Sequence, residues 1–387
     1  MPTFLGKTSA ISAQKSKTHE KKIVADLLQL AGVSIDGVSP WDIKVKDDRL
    51  YPALLREGSL GLGESYVDGW WDCEEVDQLI GRLIRADLEN KVRQNKKFLF
   101  CLLLGRFVNF QNHKRSFEVG RVHYDIAPDL YRKMLDAEMN YSCGYWKNAT
   151  TLDEAQKAKL ELSCRKLKLA PGMKVLDIGC GFGAFAKYAA KNYKVHVVGV
   201  TVSEQQALWA KENCKGYPVE IRFQDYRDVT EKFDRVISIG MFEHVGKKNY
   251  KDYMSLVFKS LIDDGLFLLH TIGTTCVESG TDAWISKYIF PNSILPAARD
   301  ITDACRGKFV IEDWHDFGLD YVKTLRAWYD NFTSHWHSLR NNYDQRFFRM
   351  WTYYLLSFMG SFQVKHIQVW QVVLSKNYLN RDYSPIR

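Results

Sequence analysis

Apolar positions along this chain switch period partway. From Asp153 to Leu167 they recur at helical spacing, then meet Ala170-Pro171-Gly172, a stop signal, before the short apolar run Lys174 to Ile178. The pattern beyond predicts strand 174–178, helix 183–191, strand 194–200, helix 203–213, strand 219–223, strand 234–239, helix 249–261 and strand 265–271. Short apolar strands alternating with helices predict an α/β fold whose parallel sheet is covered on both faces. From Trp284 onward the chain is aromatic-rich and mostly helical in pattern. Residues 319–325 and 367–374 are the exceptions, expected as antiparallel strands that close the sheet edge.

The earlier part of the chain reads differently. A polar leader (1–20) precedes a small, mostly helical domain (21–122), and the α/β domain takes 123–387. The glycine-rich, tryptophan-containing stretch Glu57 to Cys73 is expected as a shaped loop with short helices. Residues 77–109 are expected to be an amphipathic helical region with a basic face.

Composition narrows the class. With 387 residues, 46% hydrophobic and 26% charged, the chain is neither collagen-like, low-complexity nor mainly disordered. Its longest strongly apolar run, Phe98 to Leu104, falls far short of the roughly 20 residues of a membrane span. The N-terminus has no apolar core of a secretory signal, so a cytoplasmic protein is expected. Eight cysteines with no C-x-x-C pair argue against zinc and disulfides; reduced thiols and no metal are expected. The net charge of +8 is concentrated: between Arg82 and Arg121 ten Lys/Arg face three acids, a stretch suited to phosphate groups.

The strand at 174–178 runs into Val175-Leu176-Asp177-Ile178-Gly179-Cys180-Gly181-Phe182-Gly183 and a helix. Glycines here let the backbone approach a ligand at the carboxyl edge of the sheet, where open α/β sheets bind. Gly179, Gly181 and Ala184 also fit the dinucleotide spacing, so glycines alone leave two ligand classes open. A dinucleotide site calls for an acid about 20 residues on. Here the second strand ends Gly199-Val200-Thr201-Val202-Ser203, with no acid before Glu204. Asp177, two residues ahead of the first glycine, suits the ammonium of an amino-acid ligand such as S-adenosylmethionine. Many methyltransferases of that kind carry an acid at the end of strand two, and its absence is a departure from their pattern.

Together with this loop, EGSLGLGESYVDGWW (57–71), HYD (123–125), MNYSCGYW (139–146), GVTVSEQQ (199–206), QDYRD (224–228), IGMFEHVG (239–246), LLHTIG (268–273), WISKYIFPN (284–292) and FGLDYVKTL (317–325) carry a resemblance. Over nearly all of residues 20–375 the chain resembles cyclopropane-fatty-acyl-phospholipid synthases of the S-adenosylmethionine-dependent methyltransferase superfamily. The resemblance implies a Rossmann-like methyltransferase domain behind a small helical, lipid-binding N-terminal domain. It implies transfer of a methyl, as a methylene bridge, onto the cis double bond of an acyl chain in a membrane phospholipid. An alkene attacking that methyl leaves a carbocation, and ring closure then needs a base.

For that base the resemblance implies bound bicarbonate, held by Cys143, Glu243, His270, Ile272 and Tyr321, with Cys143 and Ile272 acting through backbone groups. For S-adenosylmethionine it implies Tyr141 and Ser142 near the methionine end and Asp177, Gly179, Cys180, Gly181 and Gly183 in the loop. It adds Thr201, Ser203, Gln205 and Gln206 near the ribose, and Gln224, Asp225 and Tyr226 near the adenine. The strand pattern independently puts Glu243 and His270 at the glycine loop's edge of the sheet. A carboxylate beside bicarbonate accepts its O–H, while His270 and Tyr321 can donate to other oxygens. Some relatives carry a cysteine after paired tyrosines near the C-terminus; Phe358 stands there in this chain, which speaks against a thiol nucleophile.

Implied partners are an anionic phospholipid surface, met peripherally through the basic stretch at the inner face of the membrane, and a second copy in a homodimer. Nucleic acid is not expected, since no aromatic-basic stacking motif is present. Other readings stay open: a methyltransferase adding a methyl branch to the same alkene, a small-molecule N- or C-methyltransferase, or a non-enzymatic lipid-surface protein.

Overall fold

In the computed structural model the described residues are 18–88, 91, 128–275, 281–376 and 383–387. In chain order the elements begin with α1 (residues 18–29), β1 (Lys44–Val45), α2 (Leu50–Glu57), α3 (Ser59–Val67), β2 (Trp71–Asp72), α4 (Val76–Arg85) and α5 (Pro128–Met134). There follow α6 (Leu152–Lys166), β3 (Lys174–Ile178), α7 (Ala184–Tyr193), β4 (His196–Thr201), α8 (Glu204–Asn213), β5 (Val219–Phe223), β6 (Phe233–Ile239), α9 (Tyr250–Ser260) and β7 (Leu261–Thr274). The last are α10 (Ala283–Tyr288), α11 (Ala298–Cys305), β8 (Val310–Asp316), α12 (Gly318–Ser334), α13 (Trp336–Leu339), α14 (Gln345–Gln363) and β9 (Ile367–Ser375).

These residues form two compact units. One gathers residues 18–88 and 91 with Asp282–Pro291 and Thr333–Val364; the other holds 128–275, 281, Asn292–Phe332, 365–376 and 383–387. The first unit therefore draws on two segments from the C-terminal half, which a boundary read along the chain leaves out. The expected boundary at 122/123, the leader up to residue 17, the HYD motif, Cys101, Cys276 and most of the basic stretch lie outside the described residues.

Within the first unit the stretch 57–73, expected as a shaped loop with short helices, holds one short helix and a two-residue strand, α3 and β2. Gly61 and Gly63 serve close packing there: a Cβ at Gly61 would overlap the Ala53 carbonyl, and one at Gly63 the Trp284 indole. Of the basic stretch, Arg82 on α4 lies over the Trp41 ring, its guanidinium carbon 3.7 Å from the centroid.

The second unit is built on a seven-stranded sheet in the order β5-β4-β3-β6-β7-β9-β8. Neighbours from β5 to β7 run parallel, and β9 runs antiparallel to both β7 and β8. Alternate residues fill two cores. Leu176, Ile178, Val198, Val236, Phe267, Leu269, Val372 and Leu374 face one way, and Val175, Val197, Ile237, Leu266, Leu268 and Val373 the other. Burial on both faces explains the unbroken apolar runs. α6 starts at a capping box in which Thr151 and Glu154 each accept from the other's backbone N–H.

One expectation is corrected here. Residues 319–325 belong to α12, whose buried positions Tyr321, Thr324, Leu325, Trp328 and Phe332 form a helical stripe; seven residues are too short a window to separate that period from a strand. The edge strand is β8. The strand expected at 367–374 exists as β9 but lies between β7 and β8. Among the described residues, no helix is long and apolar enough to cross a membrane, and Cys73, Cys143, Cys164, Cys180, Cys214 and Cys305 are free thiols.

Candidate active site

The loop after β3 turns at Gly179, Gly181 and Gly183, with φ of +77°, +54° and +84°, a region that side chains other than glycine's enter at a cost. The Gly179 and Cys180 N–H groups donate to the Val200 carbonyl at 2.9 and 3.1 Å and tie the loop to β4. A Cβ at Gly179 would meet Met241, whereas one at Gly181 would enter open space, so Gly181 is held to glycine by its backbone alone.

Asp177 is buried in the middle of the sheet, and its Oδ2 has no hydrogen-bond partner among the described residues. Burial pushes its carboxyl up to about 7, with Lys159 pulling the other way. An unpartnered buried carboxylate oxygen beside a glycine turn suits a cationic ligand group.

Lys159 is a residue that sequence reasoning missed. Along α6, Gln156, Lys159, Ser163 and Lys166 are all buried, a polar stripe at spacings of three, four and three. That spacing was the available signal, although in a sequence it looks like a solvated face. Lys159 Nζ donates to Asn140 Oδ1 and Ser142 Oγ, both at 2.9 Å. Asn140 is held in turn by Asp136, through its N–H at 2.7 Å and its Nδ2 at 2.8 Å. Gln156 Nε2 donates to the Ser142 carbonyl at 2.8 Å. Burial lowers the Lys159 ammonium to about 8, against the pull of Asp136, Cys143 and Asp177. Tyr141 sits beside the rings of Tyr131 and Trp328, with centroids 5.3 and 5.2 Å away.

At the ends of β4 and β5 the remaining expected ligand-binding residues come together. Thr201 Oγ1 donates to Gln206 Oε1 at 3.0 Å and accepts the Ser203 N–H at 3.2 Å, while Ser203 caps α8. Gln205 is exposed, and the Gln224 N–H donates to the Thr201 carbonyl at 3.0 Å. Asp225 accepts Arg227 through backbone and guanidinium, which holds its carboxyl below the usual range. Tyr226 packs edge-on against Tyr253 at 5.3 Å.

A second buried carboxyl lies one strand along. Glu243, on the turn after β6, accepts the Ile272 N–H on Oε1 at 2.7 Å, and its Oε2 has no hydrogen-bond partner among the described residues. Burial pushes this carboxyl up to about 7, and the Ile272 N–H opposes the shift. Ile272 was expected to offer a backbone group to a ligand; its N–H is instead given to Glu243. His270, two residues earlier on β7, has its carbonyl bound by the Gly240 N–H at 2.9 Å. Burial, with Lys159 and Lys166 nearby, lowers its imidazole to about 3, so the ring is neutral at physiological pH.

Cys143 and Tyr321 approach from another side. The Gly144 N–H and Trp146 Nε1 donate to Thr324 Oγ1 at 3.1 and 2.9 Å, and the Trp146 N–H donates to Asp320 Oδ2 at 2.7 Å, which stitches residues 143–146 to α12 around Tyr321. The Trp328 ring adjoins both Tyr141 and Tyr321, the latter at 5.9 Å. Phe317, just ahead of α12, meets the His270 ring at 5.6 Å. The Cys143 thiol is fully buried, which pushes it far above its ordinary value and makes it a poor nucleophile. Phe358 lies in α14 against Tyr354.

Comparison with known proteins shows the family and the fold. The family described as mycolic acid cyclopropane synthetase matches residues 111–372. The cyclopropane-fatty-acyl-phospholipid synthase of Escherichia coli (strain K12) is 50% identical over 359 residues, covering 93% of this chain and 94% of that protein. A probable fatty acid methyltransferase of Pseudomonas putida is 34% identical over 88% of this chain and 89% of its own. Among solved structures, the cyclopropane synthase MmaA2 of Mycobacterium tuberculosis superposes with a TM-score of 0.62 at 29% identity, covering 69% of this chain and all of its own. The mycolic acid cyclopropane synthase CmaA1, solved with SAH and CTAB, gives 0.61 at 30%, covering 69% of this chain and 99% of its own. By these matches and by its glycine loop, this chain belongs to the mycolic acid cyclopropane synthetase family and is an S-adenosylmethionine-dependent methyltransferase of cyclopropane-synthase type.

Proposed function

We propose that the enzyme converts the cis double bond of unsaturated acyl chains in membrane phospholipids into a cyclopropane, using S-adenosylmethionine as the one-carbon donor and bound bicarbonate as the base. The observation that carries this reading is the pair of buried carboxyls at one edge of one sheet, Asp177 and Glu243, each with an oxygen left unpartnered among the described residues. The name of the Escherichia coli relative supports the substrate class.

The residues divide the work. Asp177 takes the ammonium of S-adenosylmethionine, and Ser142, fixed by Lys159, lines its methionine end. The alkene π pair attacks the methyl carbon, the carbon–sulfur bond breaks with its electrons on sulfur, and the second alkene carbon is left cationic. Loss of a proton from the transferred carbon lets that C–H pair close the ring. Bicarbonate beside Glu243, His270, Tyr321 and the Cys143 backbone would supply the base for that proton, with the Ile272 N–H holding Glu243 in place. Burial raises the Glu243 carboxyl to about 7, so the group holds a proton readily and can share one with the bicarbonate oxygen beside it, which keeps two negative charges from facing each other.

The substrate lies in a bilayer, so the enzyme meets it peripherally, at an anionic surface on the cytoplasmic side, through the basic stretch 82–121. The family resemblance adds a homodimer. The deciding experiment is mass spectrometry of lipids from cells expressing the chain. The expected result is a gain of one CH2 per modified acyl chain that survives mild hydrogenation as a ring. Retention of an alkene with the added carbon would point to a methyl-branching enzyme, and unchanged lipids would overturn the reading.

A further inference from the structure

A polar side chain stands where the fold asks for an apolar one. Gln371 lies in the middle of β9, fully buried, between strand neighbours that are valine and tryptophan. In the antiparallel pairing it faces His270 directly on β7, and His315 on β8 on its other side. An amide in such a place costs stability unless its hydrogen bonds have a use.

The directions of those bonds follow from counting hydrogens. The Ser163 hydroxyl donates to the Lys159 carbonyl at 2.8 Å. That uses its one hydrogen, so toward Gln371 it can only accept, and Gln371 Nε2, 3.1 Å away, donates to it. The same nitrogen is 3.4 Å from His270 Nδ1, and its second hydrogen is available for that contact. Nδ1 must then offer a lone pair. Turning the amide over would set its oxygen against Ser163 Oγ and His270 Nδ1 and take the Ser163 hydrogen from Lys159, so the orientation with three bonds, which leaves Gln371 Oε1 without a partner among the described residues, is preferred.

We propose that Gln371 and Ser163 are positioning residues that set the tautomer of His270, keeping its proton on Nε2 so that the ring acts on the bound base as a hydrogen-bond donor. This rests on the reading of His270 as part of the proton-handling pocket and deepens it. The imidazole is enclosed and has Lys159 and Lys166 as its charged neighbours, so it remains neutral, and for a neutral ring the tautomer decides whether it gives or takes a hydrogen bond. A carboxylate in place of the amide would accept from Nδ1–H and reverse the ring's polarity. The device also reaches toward the methionine end: the carbonyl that anchors Ser163 belongs to Lys159, whose ammonium holds Ser142.

The test is long-range proton–nitrogen correlation NMR on the full-length chain labelled with nitrogen-15 histidine, the His270 signals being assigned by their loss in His270→Asn. A pyridine-like Nδ1 with a pyrrole-like Nε2 at neutral pH is expected; a protonated Nδ1 in the wild-type protein would overturn the proposal without any variant. Gln371→Glu should move the proton to Nδ1 and lower ring formation by about tenfold or more. S-adenosylmethionine affinity should stay within about twofold. Gln371→Met, similar in size but without a donor, should give mixed tautomers and an intermediate rate. A Gln371→Glu protein that keeps the Nε2 proton overturns the positioning role. One that switches tautomer yet turns over at the wild-type rate leaves the tautomer control standing and overturns the reading of His270 in the reaction.

Discussion

Asp177 and Glu243 invite comparison because so much about them is shared. Both are buried carboxyls at the carboxyl edge of the same sheet, both are pushed up to about 7 by burial, and each has one oxygen without a partner among the described residues. What offsets the burial differs. At Asp177 it is the charge of Lys159, which acts through space and leaves the carboxylate oxygen open. At Glu243 it is hydrogen bonding, first of all from the Ile272 backbone N–H at 2.7 Å, which fixes the orientation but supplies no countercharge. The first site is ready for a positive group, which completes its charge balance. The second can stand beside an anion only if a proton lies between them. Two similar acids are thus suited to different tasks, one by a neighbouring charge and the other by hydrogen bonds alone.

The sharpest way to break this comparison is to neutralise each acid and measure two things. Asp177→Asn should weaken S-adenosylmethionine binding by roughly tenfold to a hundredfold, the value of a hydrogen bond to a charged group at about 1.5–3 kcal/mol. Glu243→Gln should leave that affinity within about twofold and lower ring formation at least about tenfold, or ~1.4 kcal/mol of barrier. Calorimetry and turnover on both variants check this, and equal losses of affinity would erase the distinction.

A smaller effect concerns protons. Near neutral pH the ligand-free Asp177 is partly protonated, and a bound ammonium lowers its pKa, so S-adenosylmethionine binding should release a fraction of a proton. An anion beside Glu243 raises that pKa, so bicarbonate binding should take one up. Titrations in two buffers of different ionisation enthalpy give both signs. Proton release that persists in Asp177→Asn would assign it to another group.

The smallest effect is on stability without ligand. Each folded-state pKa is raised from an ordinary value near 4 to about 7, so each acid contributes stability that is present below pH ~4 and lost as the pH rises toward 7. At pH 8 both neutral variants should therefore melt above the wild type, with the gains vanishing near pH 4. The gain should be smaller at Asp177, where substitution removes part of the compensation for buried Lys159. Thermal melts across this range check it, and equal gains would show that the lysine is not felt.

How much of this was readable beforehand depends on where each signal resides. β3 and β6 stand within a residue of their expected places because burial on two faces makes them largely apolar, and β5, at the sheet edge, because its Val-Glu-Ile-Arg-Phe alternates apolar with charged positions. The glycine loop was readable because its backbone angles exclude most other residues. Residues 319–325 read as a strand although they belong to α12, because a helix stripe seen through seven residues is ambiguous, and the close packing at Gly63 owes its meaning to Trp284, distant in sequence. Lys159 and Gln371 escaped for the same reason. A buried lysine and a buried glutamine look ordinary until the residues they serve, Ser142 and His270, are seen beside them. Ile272 was singled out, but only the fold shows its N–H directed at Glu243.

The path of the chain bears on how such enzymes can be taken apart. It leaves the second unit for Asp282–Pro291, returns, and leaves again for Thr333–Val364, where α14 packs on α3 and α4 and Tyr353 meets Tyr66 and Trp284. A fragment cut before α5 would keep α10 and α14 but lose the surface that covers Trp284, Trp351 and Tyr353, and would present those rings to water. Exchanging the helical unit between relatives therefore means moving three pieces of sequence at once. Recombination at a single crossover would sever partners that have to be inherited together.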